Sequence, residues 1–92
     1  MTDGHRDDFY LSDPETRLKI ALWRCRRGML ELECLLIPFA RNHFTRLSEA
    51  QQQTFQKLLK LHDHELYALL SGNKQTDEEG IQEMVDAIIQ GD

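Results

Sequence analysis

From residue 14 to residue 90 apolar side chains recur at intervals of three and four, the repeat of one helix face. No stretch alternates strictly between turn signals, so the pattern predicts helices and no strands. The last segment is the cleanest: Ile81, Met84, Val85, Ile88 and Ile89 fall at i, i+3, i+4, i+7 and i+8. A first helix takes Leu18, Ala21, Leu22 and Cys25 to one face, leaving Ile20 and Trp23 on another, as if contacted from two directions. In a second, Met29, Leu32, Leu36 and Phe39 form the stripe, broadened by Leu30, Leu35 and Ile37, with Pro38 expected to kink it. A third aims Phe55, Leu58, Leu59 and Leu61 at the core.

Boundary residues agree with this division. Ser12-Asp13-Pro14-Glu15 reads as a helix start, with a capping Ser or Asp and proline in the first turn. That helix is expected to run to about Arg26 and stop at Gly28 in a left-handed position. The second spans about Met29 to Asn42, and the third opens at Ser48 with Gln51 completing a capping box. "HDHELYALLSG" makes a short fourth helix ending at Gly72, and Thr76 to Glu79 a third box before the last helix. The expected fold is all-α, about five short helices in one domain over residues 12–92, behind a flexible polar tail at 1–11.

Composition narrows the function classes. With 40% apolar and 29% charged residues, the 92-residue chain has enough apolar surface to build one core. Its longest apolar run, Leu35 to Ala40, is far short of the ~20 residues that span a bilayer, and residues 1–13 contain no apolar signal segment. A cytoplasmic protein without membrane insertion is expected. Cys25 and Cys34 are too few for a disulfide scaffold and are read as buried thiols in apolar stripes.

Charge is uneven. Residues 1–46 carry eight basic and seven acidic side chains, whereas residues 47–92 carry three and nine, within a net charge of −5. Arg17, Lys19, Arg24, Arg26 and Arg27 form a basic tract without an acid. An acidic whole without a reader motif argues against nucleic acid, and a basic face meeting an acidic protein partner is the stronger reading.

Direct catalysis finds no support. No nucleophile elbow or phosphate-cradling glycine loop is present, and Ser12 and Ser48 are better used as caps. His62 and His64, two apart, would point about 200° away from each other on a helix, and no zinc-ligand spacing occurs. No metal is expected.

One stretch stands out, "CRRGMLELE" at 25–33. Gly28, Arg26, Arg27 and Glu31 could simply close one helix and complement the dipoles of two. Equally, Arg27, Gly28, Met29 and Glu31 could form a docking patch, with bare backbone, paired charges and an adaptable thioether. Spacing alone leaves both open.

The residues themselves resemble a known family. "RRGMLELE", with Trp23 and Cys25 upstream and Pro38-Phe39 downstream, closely resembles the SdhE/YgfY flavinylation factors of succinate dehydrogenase, whose hallmark R-G-x-x-E stands here as Arg27 to Glu31. Asp63, Glu65 and Leu66 are similar to that family's D-x-[DE]-L segment. Glu33 stands where the family usually has aspartate, and Leu69 where an aromatic is common. The resemblance implies a five-helix assembly factor, not an enzyme. It would bind the flavoprotein subunit of succinate dehydrogenase or fumarate reductase and promote covalent attachment of FAD, the partner's cofactor and not its own. Arg27, Gly28, Met29, Glu31 and Asp63 would be partner-binding, with helix capping an equally good account of Asp63, and the free chain a monomer. Since family members have also been labelled antitoxins, the alternative is a binder that neutralises a small membrane- or cytoskeleton-directed toxin. On the docking reading, alanine at Arg27 or Glu31 should leave the fold intact.

Overall fold

In the computed structural model, which describes residues 13–91, five α-helices follow one another: α1 Pro14–Arg24, α2 Leu30–His43, α3 Glu49–Leu58, α4 Asp63–Leu70 and α5 Glu79–Gln90. A 3-10 turn, Phe44–Arg46, links α2 to α3. The tail expected at 1–11 lies outside the described residues, and so does Ser12.

Local chemistry sets the ends. Asp13 caps α1 by accepting from the Thr16 N–H at 2.7 Å, and this bond holds its carboxyl below the usual range. Ser48 and Gln51 exchange both capping-box bonds at the start of α3 (2.9 and 3.1 Å). The box expected at Thr76 does not form. The helix begins three residues later at Glu79, because Thr76 Oγ1 accepts from the Glu78 N–H and the Gln82 side chain turns back to the Thr76 N–H. Pro38 stands inside a continuous α2.

The buried side chains form one cluster drawn from all five helices and the 3-10 turn. Phe55 of α3 lies at its centre, with ring centroids 5.7 Å from Phe39 and 5.7 Å from Phe44. Helix α5 packs on α2, α3 and α4, and α1 on α2. Four expected core positions are instead exposed: Trp23 (73%), Leu30 (72%), Ile89 and Cys34. Geometry explains three of them. Trp23 is two residues from buried Ala21 and Cys25, and Leu30 and Cys34 are each two from Leu32, about 200° around the helix. Ile89 sits at the stripe's edge in the last turn of α5.

The two thiols therefore differ. Cys25 is fully buried, and burial pushes its thiol from an ordinary 9.0 to about 12. Its neutral form is favoured by folding, so the unfolded chain loses that proton first. Stability should hold below pH 9 and fall as pH rises from 9 towards 12. At pH 8 maleimide should label the native chain once, at exposed Cys34, and twice in denaturant, read by mass spectrometry. Two rapid labels on the native chain would contradict this.

Candidate functional site

Helix α1 ends earlier than its apolar pattern suggests. Its C-cap is Cys25, whose N–H reaches the Ala21 and Leu22 carbonyls, and the chain then crosses to α2 through Arg26 to Met29. Gly28 has the expected left-handed backbone (φ +81°), but three residues past the cap, so it turns the link and does not close the helix. Glu33, one turn into α2, fixes that turn: its Oε2 accepts the N–H of Arg27 at 2.9 Å and of Gly28 at 2.7 Å. A side chain at Gly28 would meet nothing within 4 Å, so the backbone there is open to approach.

Arg27 points inward. Its side chain is only 13% exposed. Nε donates to Asp63 Oδ1 at 2.8 Å, and the terminal nitrogens donate to the carbonyls of Leu59 (2.6 Å), Leu61 (2.5 Å) and Arg24 (3.2 Å). These acceptors include the orphan carbonyl at the end of α3 and the first residue of α4. One guanidinium fork thus ties the end of α1 to the α3–α4 junction. This placement gives Arg27 a part in the fold that its position in the sequence does not show, so Arg27→Ala is expected to loosen the fold. Asp63 is not a cap: it stands in the first turn of α4, behind the N-cap His62, with its carboxylate on Arg27.

The remaining residues of the motif face outward. Gly28 and Glu31 are exposed, and the Glu31 carboxylate has no partner among the described residues. Met29 is half-buried against the core. Leu30 stands beside them, with Trp23 at the other end of the link. Of the five residues singled out in the sequence, Arg27 and Asp63 meet each other, while Gly28, Met29 and Glu31 line the link.

Sequence reasoning missed Glu33 and the buried glutamines. Gln52 receives Arg17 Nη1 at 3.3 Å and gives its amide N–H to the Phe44 carbonyl at 3.0 Å, and Gln56 accepts from Arg24. Two of the five cations in the basic tract are therefore clasped to α3 and a third is Arg27. The signal was present in the spacing: Gln52 and Gln56 sit on the Phe55 side of α3, four apart.

His62 and His64 do not diverge as a helical pair would. His62 is the extended N-cap, and the rings lie parallel with centroids 6.1 Å apart. Among the described residues no three His, Cys, Asp or Glu side chains group as metal ligands, and no helix is long and apolar enough to cross a membrane.

Comparison with known proteins covers most of the chain. The Sdh5 family profile, "Flavinator of succinate dehydrogenase", matches residues 19–91. The FAD assembly factor SdhE of Aliivibrio fischeri is 38% identical over 81 residues, 88% of this chain and 91% of the relative. That of Colwellia psychrerythraea is 38% identical over 89 residues, 97% and 94%. That of Legionella pneumophila is 48% identical over 58 residues, 63% and 73%. With a match running from the middle of α1 to the end of α5, the chain belongs to the Sdh5 family of flavinators of succinate dehydrogenase.

Proposed function

We propose that this chain is an FAD assembly factor that docks on the flavoprotein subunit of succinate dehydrogenase through the Gly28–Glu31 link and promotes covalent attachment of its flavin. The same surface would serve a fumarate reductase flavoprotein. One observation carries the reading: an uncommitted carboxylate, Glu31, stands beside open backbone at Gly28 and exposed Leu30, on a link whose Arg27 and Gly28 amides are already taken by Glu33. A preorganised patch of this kind loses little conformational freedom on binding.

The division of labour follows. Gly28, Met29, Leu30 and Glu31 meet the partner, whereas Arg27 and Asp63 hold the link in place behind them. The bond-making belongs to the flavoprotein and its flavin; the factor favours the partner conformation in which the accepting side chain and the flavin are apposed. The chain acts as a monomer and holds no flavin of its own. The two grooves beside Trp23 are open to solvent, and no glycine-rich phosphate cradle occurs among the described residues.

Glu31→Ala is the test, because it removes a side chain with no bond inside the protein. The variant should melt no more than about 8 °C below the parent, since helix-end charges contribute about 0.3–1 kcal/mol and each kcal/mol moves Tm by about 4–8 °C. Covalent flavin fluorescence of the partner subunit, in cells lacking the native factor, should fall at least about tenfold, as truncating a central charged contact costs about 2 kcal/mol or more. Undiminished fluorescence would overturn the docking reading.

A further inference from the structure

Folding sorts the basic tract. With Arg17, Arg24 and Arg27 bonded inside the protein, Lys19 and Arg26 remain outward, and neither has an ion pair among the described residues. Two cations from elsewhere in the chain join them. Arg41 of α2 lines a groove of about 290 Å³ with Lys19, Trp23 and Arg26, over an apolar floor of Leu22 and Ile37. Lys60, just past α3, lines a second groove of about 620 Å³ with Trp23, Arg24 and Arg26. Trp23 and Arg26 border both grooves and so form the ridge between them. No acid lines either one.

This cationic ridge stands on a chain whose net charge is −5, so it opposes the protein's overall field. An indole 73% exposed, bordering two grooves lined by guanidinium and ammonium groups, fits a surface that offers carboxylates beside apolar contact. Nucleic acid fits less well: there is one aromatic and no stacking row, and the rest of the molecule repels phosphate. The ridge is also continuous with the link, because Arg26 belongs to both.

We infer that the Trp23–Arg26 ridge receives an acidic stretch of the flavoprotein surface and steers the complex into register before the Gly28–Glu31 link engages. This rests on the docking reading given above. Steering of this kind acts on the association rate and is screened by salt.

Stopped-flow association of the full chain with the purified apo-flavoprotein tests it at low and high salt. Arg26→Glu, and independently Arg41→Glu on a different helix, should slow association about tenfold at low salt, with the difference closing at high salt. Arg46→Glu, an exposed reversal on the 3-10 turn that lines neither groove, is the control and should change the rate less than about twofold. Melting curves exclude misfolding, and two independent positions keep the result readable if one variant is unstable. Equal rates for parent, Arg26→Glu and Arg41→Glu would overturn the ridge while leaving the link intact. So would equal slowing by Arg46→Glu, or a salt-sensitive dimer or nucleic-acid complex of the chain alone that Arg26→Glu abolishes. Absence of any binding by the parent chain overturns the docking reading itself.

Discussion

Arg27→Ala should melt at least about 10 °C below the parent chain, and flavinylation of the partner should fall because the fold does. The substitution strands the carboxylate of Asp63 and the carbonyls of Leu59 and Leu61, all taken by one mostly buried guanidinium. Hydrogen bonds to charged groups contribute about 1.5–3 kcal/mol each, and breaking a buried pair from one side costs about 3–5 kcal/mol. Asp63 is partly exposed, at 38%, and water will recover some of that loss, so about 3 kcal/mol is the expected net effect. A domain of this size has about 5–15 kcal/mol in total, and each kcal/mol moves Tm by about 4–8 °C. Arg27→Lys should recover only part, since one ammonium cannot meet a carboxylate and two carbonyls in a plane. Set beside Glu31→Ala, the pair separates support of the link from contact by it. An Arg27→Ala variant with parental melting would show that the fork contributes nothing to the fold.

Phe55→Ala should cost about 3–5 kcal/mol, which approaches the whole stability of the domain. Phe55 is fully buried, and its ring joins Phe39 of α2 to Phe44 of the 3-10 turn at 5.7 Å each. Removing it leaves a cavity between three elements that are separately anchored and cannot all close on it. It also removes two tilted aromatic contacts, worth about 0.5–1.5 kcal/mol each. Phe55→Leu keeps part of the volume and should lose about half as much. Urea denaturation gives the comparison directly; a midpoint close to that of the parent in Phe55→Ala would mean that the cluster does not hold the domain together.

Most of the architecture was legible because it is written in local periodicity. Four of the five stripe positions in α5, the Ser48 box and the left-handed Gly72 depend on neighbours within one or two turns and appear where the spacing places them, while Gly28 takes its expected backbone in the link and not at the end of α1. Exactness failed where two local options competed. Thr76 offered a capping box, but the Gln82 side chain bonds the Thr76 N–H instead and the helix starts at Glu79. Arg26 could have continued α1, but Glu33 captures the next two amides and the link turns away.

The motif at 27–31 was visible as a motif, and its division was not. Arg27 and Glu31 look alike in the sequence, two charges four residues apart, and each would suit a helix end or a partner. Their fates differ because Asp63 and the carbonyls of Leu59 and Leu61, 32 to 36 residues away in the chain, converge on Arg27 and none reaches Glu31. The same holds for the basic tract, whose inward and outward members are chosen by Gln52 and Gln56 of α3. The chain's own residues determined the helical class, the helix order and the family motif, since these rest on short-range spacing. Only the tertiary structure decided which charges hold the protein together and which stay at its surface, because a buried charge must be matched by groups that sequence distance hides.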